Sequence, residues 1–208
     1  MHTHPRHFHT PLICRAALKC CTAFIVAIGL WSHSLAATSP PNANSTLSTQ
    51  ETMDALTRAS QAVVGVQVEA AEGARSIETL GPRRMGSGVV IGADGLVLTI
   101  GYLMLEAQTI QIITQDKKTI PARAVAYDLA TGFGLVQALA PLGLEPAPLG
   151  RADGINAKAP LMVASGGDDG AVSVAQLLTR RPFSGYWEYH IDGALFTAPP
   201  RRDHSGAG

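Results

Sequence analysis

The chain has 208 residues with 16 Lys and Arg against 16 Asp and Glu, and it is 46% hydrophobic but only 5% aromatic. A formal net charge of zero gives no electrostatic argument for nucleic acid or an anionic membrane surface as partner. About 170 residues remain after a leader-like start, which suits one domain or two small ones sharing an interface.

Residues 1–37 have the three-part layout of a secretory signal. His2 to Lys19 is polar, with Arg6, Arg15 and Lys19 and no acid. Thr22 to Trp31 is mostly apolar and about ten residues long, well short of the roughly 20 that span a bilayer. Ser34-Leu35-Ala36-Ala37 supplies small residues for cleavage. The expectation is an exported protein, periplasmic or extracellular, with an uncleaved anchor as the alternative. All three cysteines (Cys14, Cys20, Cys21) lie in this segment. The mature chain therefore has no disulfide, thiolate nucleophile or cysteine metal site. The His2–His9 run resembles a metal-binding tract but belongs to the discarded leader. No cofactor and no metal site is expected. Removing the segment leaves 13 basic against 16 acidic residues, and only His190 and His204 among the histidines.

Residues 38–56 read as a disordered linker of Pro, Asn, Ser and Thr, and Asp54 to Ala62 as a short helical turn. Strand signals start at Val63-Val64-Gly65-Val66-Gln67-Val68. Gly88–Ile91 and Leu96–Ile100 flank Ala93-Asp94-Gly95, a hairpin signal because Gly tolerates positive φ. Thr109–Thr114 alternates and turns at Asp116-Lys117-Lys118. Thr119–Ala126 follows, with Ile120, Ala122, Ala124 and Ala126 on one face and Pro121 demoting it to an edge or bulged strand. Phe133–Leu139 is the next apolar run. Four prolines make Pro141–Pro160 a connection, after which Leu161–Ser165, Ala171–Leu178 and Tyr186–Thr197 are strand-like. Short strands at this spacing predict an all-β barrel or sandwich. The predicted organisation is a signal peptide at 1–37, a linker at 38–56, a first barrel at 57–140, a connection at 141–160 and a partial second barrel at 161–208.

Two motif readings fail on chemistry. Gly86-Ser87-Gly88 has Ile91 where a dinucleotide fingerprint needs its third glycine, and it precedes a strand instead of opening a helix. Asp168-Asp169 lacks the spacing and closing Glu of a calcium loop and reads as a hairpin turn.

Taken in order, Gly86-Ser87-Gly88-Val89-Val90-Ile91, Asp94-Gly95, Leu98-Thr99, Tyr127-Asp128-Leu129-Ala130-Thr131 and Asp203-His204-Ser205-Gly206 resemble an HtrA/Deg-type trypsin-like serine protease. The resemblance spans roughly Ala62 to Gly208 and implies a chymotrypsin-like double β-barrel. A full second barrel of this kind continues beyond its serine, and the sequence ends three residues after Ser205, so an incomplete second barrel is expected.

The resemblance places Ser205 in the nucleophile slot, Tyr102 where the family has its catalytic His, and Gly132 where it has its catalytic Asp. A serine hydroxyl needs a neighbouring base, and trypsin-like enzymes use an imidazole oriented by a carboxylate. A phenol, ordinarily titrating near about 10, is a feeble base. Glycine has no side chain with which to orient one. Losing the base costs on the order of 10⁶ in turnover in a well-studied serine protease. The oxyanion hole implied by the family uses the backbone N–H groups of Ser205 and of the residue two before it, here Asp203 in place of Gly. Its carboxylate opposes the charge that develops on the substrate oxygen. His190 and Asp192 share a face if their segment is a strand, which leaves a relocated base conceivable. The reading is an exported pseudoprotease that binds a peptide or protein partner. An active endopeptidase using Ser205 and an unconventional base is the alternative.

Overall fold

The computed structural model describes residues 49–167, 170–186 and 189–200. The segment read as a secretory signal, Asp168-Asp169 and residues 203–205 lie outside them. Helix α1 covers Thr49–Gln61 and buries none of its residues. It begins inside the stretch read as linker, because Gln50, Glu51, Met53, Ala55 and Leu56 carry helical propensity that the Ser/Thr-rich flank obscures.

Six strands follow: β1 Val63–Ala70, β2 Arg83–Val90, β3 Leu96–Ile100, β4 Ala107–Ile113, β5 Thr119–Tyr127 and β6 Phe133–Ala138. They close into a barrel in the order β1-β2-β3-β6-β5-β4. A short helix α2, Ile77–Leu80, joins β1 to β2, and a 3-10 turn, Gly101–Met104, joins β3 to β4. Strand alternation sends Val64, Val66 and Val68 of β1 inward. They meet Val90, Val97, Ile112 and Val136 in the fully buried core. Each such side chain contributes about 1.5–3 kcal/mol relative to exposure.

The β2–β3 hairpin forms at the predicted turn, with pairing up to Val90↔Val97 and Gly95 at φ 85°. The sheet differs from expectation at β5. Strand β5 is not an edge, since β4 and β6 flank it. Pro121 sits near its start, pairs with Gln111, and still offers its carbonyl to the Leu139 N–H at 2.9 Å. The irregularity falls later, between Ala124 and Ala126, and leaves both of those alanines exposed while Ile120 is buried.

Residues 139–159 hold no helix or strand, yet Leu142, Leu144 and Ala147 pack on the barrel core. Beyond them β7 Pro160–Ala164, β8 Val172–Ser184 and β9 His190–Ala198 form a sheet in the order β7-β8-β9. Strand β8 runs past the predicted Leu178. It absorbs Pro182 at a register shift between Arg181 and Phe183, where no ladder donor is needed. The whole is the all-β, chymotrypsin-like architecture with a partial second sheet.

Barrel and sheet meet through glycine. A Cβ on Gly166 would lie 2.1 Å from the Val64 carbonyl carbon, so the 165–167 loop reaches β1 only because that atom is missing. The Gly166 N–H donates to Ser87 Oγ at 3.0 Å, and the Ser87 carbonyl accepts from Thr99 Oγ1 at 2.6 Å. Ser87, the middle residue of the Gly-Ser-Gly motif, is thus a buried tie between the two halves.

Candidate functional site

The 3-10 turn carries Tyr102, and the 128–132 turn carries Gly132. The two turns are bound directly: the Gly101 N–H donates to the Gly132 carbonyl at 2.7 Å. The fold therefore brings together the two positions that the resemblance assigns to a proton-accepting base and its orienting carboxylate. Residues 203–205 lie outside the described residues, so the nucleophile slot is not placed against them.

The turn at 101–104 is anchored by what flanks Tyr102. Leu103 and Met104 are buried in the barrel core, while Tyr102 is half-buried against it. Arg84, 4% exposed, fastens the far side. Its Nη1 donates to the carbonyls of Leu105 at 2.5 Å and of Tyr102 and Leu103 at 3.4 Å, and its Nη2 to Ser76 Oγ at 2.6 Å. Burial pushes this guanidinium below its ordinary value, and the nearby Glu106 carboxylate opposes that shift. Glu106 accepts from the Ser76 and Arg75 N–H groups, and its hydrogen bonds to Ser76 hold it below the usual carboxylate range. The role of Arg84 is invisible in the sequence. Only the barrel turns this guanidinium inward onto the carbonyls of Gly81, Tyr102, Leu103 and Leu105.

The second turn is closed on itself. Asp128 accepts from Thr131 Oγ1 at 2.6 Å and from the Ala130 N–H at 3.0 Å, and its carbonyl accepts the Gly132 N–H at 2.8 Å. The hydroxyl of Thr131 and the Ala130 N–H lower the Asp128 pKa. Asp128 is the carboxylate of this turn, and both of its oxygens are spent on the turn itself. Because the folded state depresses its pKa, its contribution is present above the unfolded-state value and is lost as pH falls through the folded one. Acidification should therefore loosen residues 128–132. Amide exchange at Ala130 and Gly132 should accelerate below about pH 4, and Asp128→Asn should remove that pH dependence.

The space beside Gly132 is filled. Gly132 has φ 77°, and a Cβ there would lie 2.7 Å from Tyr189 Cγ. Tyr189 reaches the turn from the β8–β9 hairpin, which is pinned by the His190 N–H on the Ala130 carbonyl at 2.7 Å. On the other side the Tyr127 ring covers Gly101. Burial, and to a lesser extent Tyr189, push the Tyr127 phenol above its usual value. An aromatic lining thus stands where a polar relay would need a carboxylate. Tyr189 belongs to this place although the sequence shows no more than an aromatic-rich strand end. His190 points its ring elsewhere, with Nδ1 2.9 Å from Ser184 Oγ and Nε2 3.2 Å from Asp192 Oδ1. Among the described residues no group of three His, Cys, Asp or Glu could hold a metal ion, and no helix is long and apolar enough to cross a membrane.

The family model for the trypsin-like peptidase domain matches residues 86–208, from Gly86 of the Gly-Ser-Gly motif onward. The chain belongs to the trypsin-like peptidase family. Solved trypsin-like peptidases share its fold. A substituted form of the HtrA-type protease AlgW with a tripeptide superposes with a TM-score of 0.61 at 20% identity, covering 74% of this chain and 48% of that one. AlgW with a decapeptide gives 0.57 at 18% identity, covering 74% and 54%. The active form of the Rv3671c protease from M. tuberculosis gives 0.58 at 17% identity, covering 74% and 66%. This trypsin-like peptidase chain spans about half the length of the AlgW chains it matches. No curated protein matches it in sequence.

Proposed function

We propose that this chain is an exported trypsin-like peptidase scaffold that no longer carries out the family's proton transfer and instead binds an extended peptide or a protein partner. The observation that carries the reading is the pair of turns bound through Gly101 and Gly132. They offer a phenol at 102 and no side chain at 132, with the Tyr189 ring in the adjoining space. A base competent at neutral pH has no seat there.

The binding half of the reading is supported by the second sheet. Its order leaves the outer edges of β7 and β9 without a strand neighbour among the described residues. An open edge offers a ladder of backbone N–H and C=O groups to an incoming strand. The AlgW structures with which the fold agrees are complexes with a tripeptide and a decapeptide. Export rests on the three-part layout of residues 1–37.

The test pairs two measurements on the full chain without its leader. Fluorescently labelled extended peptides should bind, and a proline placed mid-strand in β9, such as Leu195→Pro, should weaken that binding. Casein and unstructured peptides should remain uncut. Peptide cleavage that disappears in Ser205→Ala would overturn the pseudoprotease reading and establish the endopeptidase alternative.

A further inference from the structure

The solvent-facing side of the β8–β9 hairpin carries a hydroxyl, an imidazole and a carboxylate in series, at none of the positions that the family resemblance assigns. Ser184 and His190 are cross-strand partners. Ser184 Oγ lies 2.9 Å from Nδ1 of the imidazole. Asp192 is two residues further along β9 and so on the same face. Its Oδ1 lies 3.2 Å from Nε2. A carboxylate on Nε2 favours the tautomer that keeps the proton there, which leaves the Nδ1 lone pair facing the Ser184 hydroxyl. The two ring nitrogens are interchanged relative to the trypsin-like relay, but the direction of proton movement is the same.

The opposite face of the hairpin holds these groups in place. Phe183 packs against Tyr189 and Phe196 with ring centroids 6.1 Å apart in each pair. Tyr189 seats on Gly132, and the His190 N–H is tied to the Ala130 carbonyl. The polar face is open: the His190 side chain is 51% and that of Asp192 99% exposed. An open face admits a small electrophile from solvent.

The geometry points to Ser184 as a reactive serine, with His190 as its base and Asp192 as the group that orients the ring, directed at small activated esters and phosphonylating agents. In the acyl case Ser184 Oγ bonds to the carbonyl carbon while its proton passes to His190 Nδ1. The bond to the leaving alcohol breaks, and that alcohol takes the proton from His190. Water then attacks the acyl-serine by the same route, releasing the carboxylic acid and restoring the hydroxyl. With a fluorophosphonate the new bond is to phosphorus, fluoride leaves, and the proton passes from His190 to solvent.

The experiment is fluorophosphonate labelling of the full chain with the modified residue mapped by mass spectrometry, run beside hydrolysis of an aryl acetate. Labelling is expected on Ser184. His190→Gln keeps a hydrogen-bonding side chain but removes the base, and should slow both reactions at least about 100-fold. Asp192→Asn should slow them less. Labelling on Ser205, no labelling, or Ser184 labelling indifferent to His190→Gln with an unchanged circular dichroism spectrum each overturns the proposal. Peptide binding at the sheet edges is untouched by either result.

Discussion

Replacing Leu103 by Ala should lower the unfolding free energy by about 2–5 kcal/mol, whereas Tyr102→Phe should cost about 1 kcal/mol or less. Leu103 is 2% exposed and is among the largest fully buried side chains of the barrel. Its truncation leaves a cavity between the 3-10 turn and the strands beneath, and the closed barrel cannot collapse to fill it. Tyr102 projects from the same turn but is only half-buried. Urea unfolding of the two variants measures the contrast. A Tyr102→Phe loss equal to that of Leu103→Ala would mean that the phenol, and not the apolar neighbours, holds the turn. The position once occupied by a base in the family pattern would then have become a structural pillar.

Gly132→Asp, the substitution that would put a carboxylate at this position, should destabilise the chain by about 2–5 kcal/mol. A non-glycine residue in the left-handed region costs about 1–2 kcal/mol, and forcing a side chain into occupied space about 1–3 kcal/mol more. Both costs apply at one atom, because Gly132 sits at φ 77° with Tyr189 Cγ 2.7 Å from its would-be Cβ. Adding Tyr189→Ala should return the steric share and leave the conformational one. The double variant Tyr102→His with Gly132→Asp should therefore gain no peptidase activity while Tyr189 is present. Thermal unfolding and peptide hydrolysis decide the matter together. A fully stable Gly132→Asp would show that Tyr189 yields easily, and peptide cleavage by the double variant would show that two residues alone separate this chain from an active enzyme.

The turns that carry residues 102 and 132 were legible from the sequence because short motifs fix them. Leu98-Thr99 ends a strand and delivers Tyr102 to the following turn, and Asp128-x-x-Thr131 closes the turn that holds Gly132. These are local relations within a few residues, set by strand alternation and by side chains bonding to nearby backbone. Tyr189 and Arg84 were not legible, since their contacts join residues far apart in the chain. Pro121 pointed to an edge or a bulged strand, and only the second holds, since the register shifts between Ala124 and Ala126. Proline argues for an edge wherever a strand could have one, but a closed barrel has no edges, and the Pro121 carbonyl kept its partner.

The sequence by itself determined the periodicity, the turns, the absence of cysteine beyond residue 21 and the residue types at 102 and 132. Those features limit the chemistry, because no fold can make glycine carry a carboxylate. The tertiary structure decided what surrounds these positions: an aromatic ring from a distant hairpin beside Gly132, a buried guanidinium behind Tyr102, and, on that hairpin, an imidazole turned toward Ser184. Such arrangements come from closing the barrel and docking the second sheet on it. The strand pairing and the glycine contact at Val64 set them, and neither is written in the local pattern around the residues they bring together.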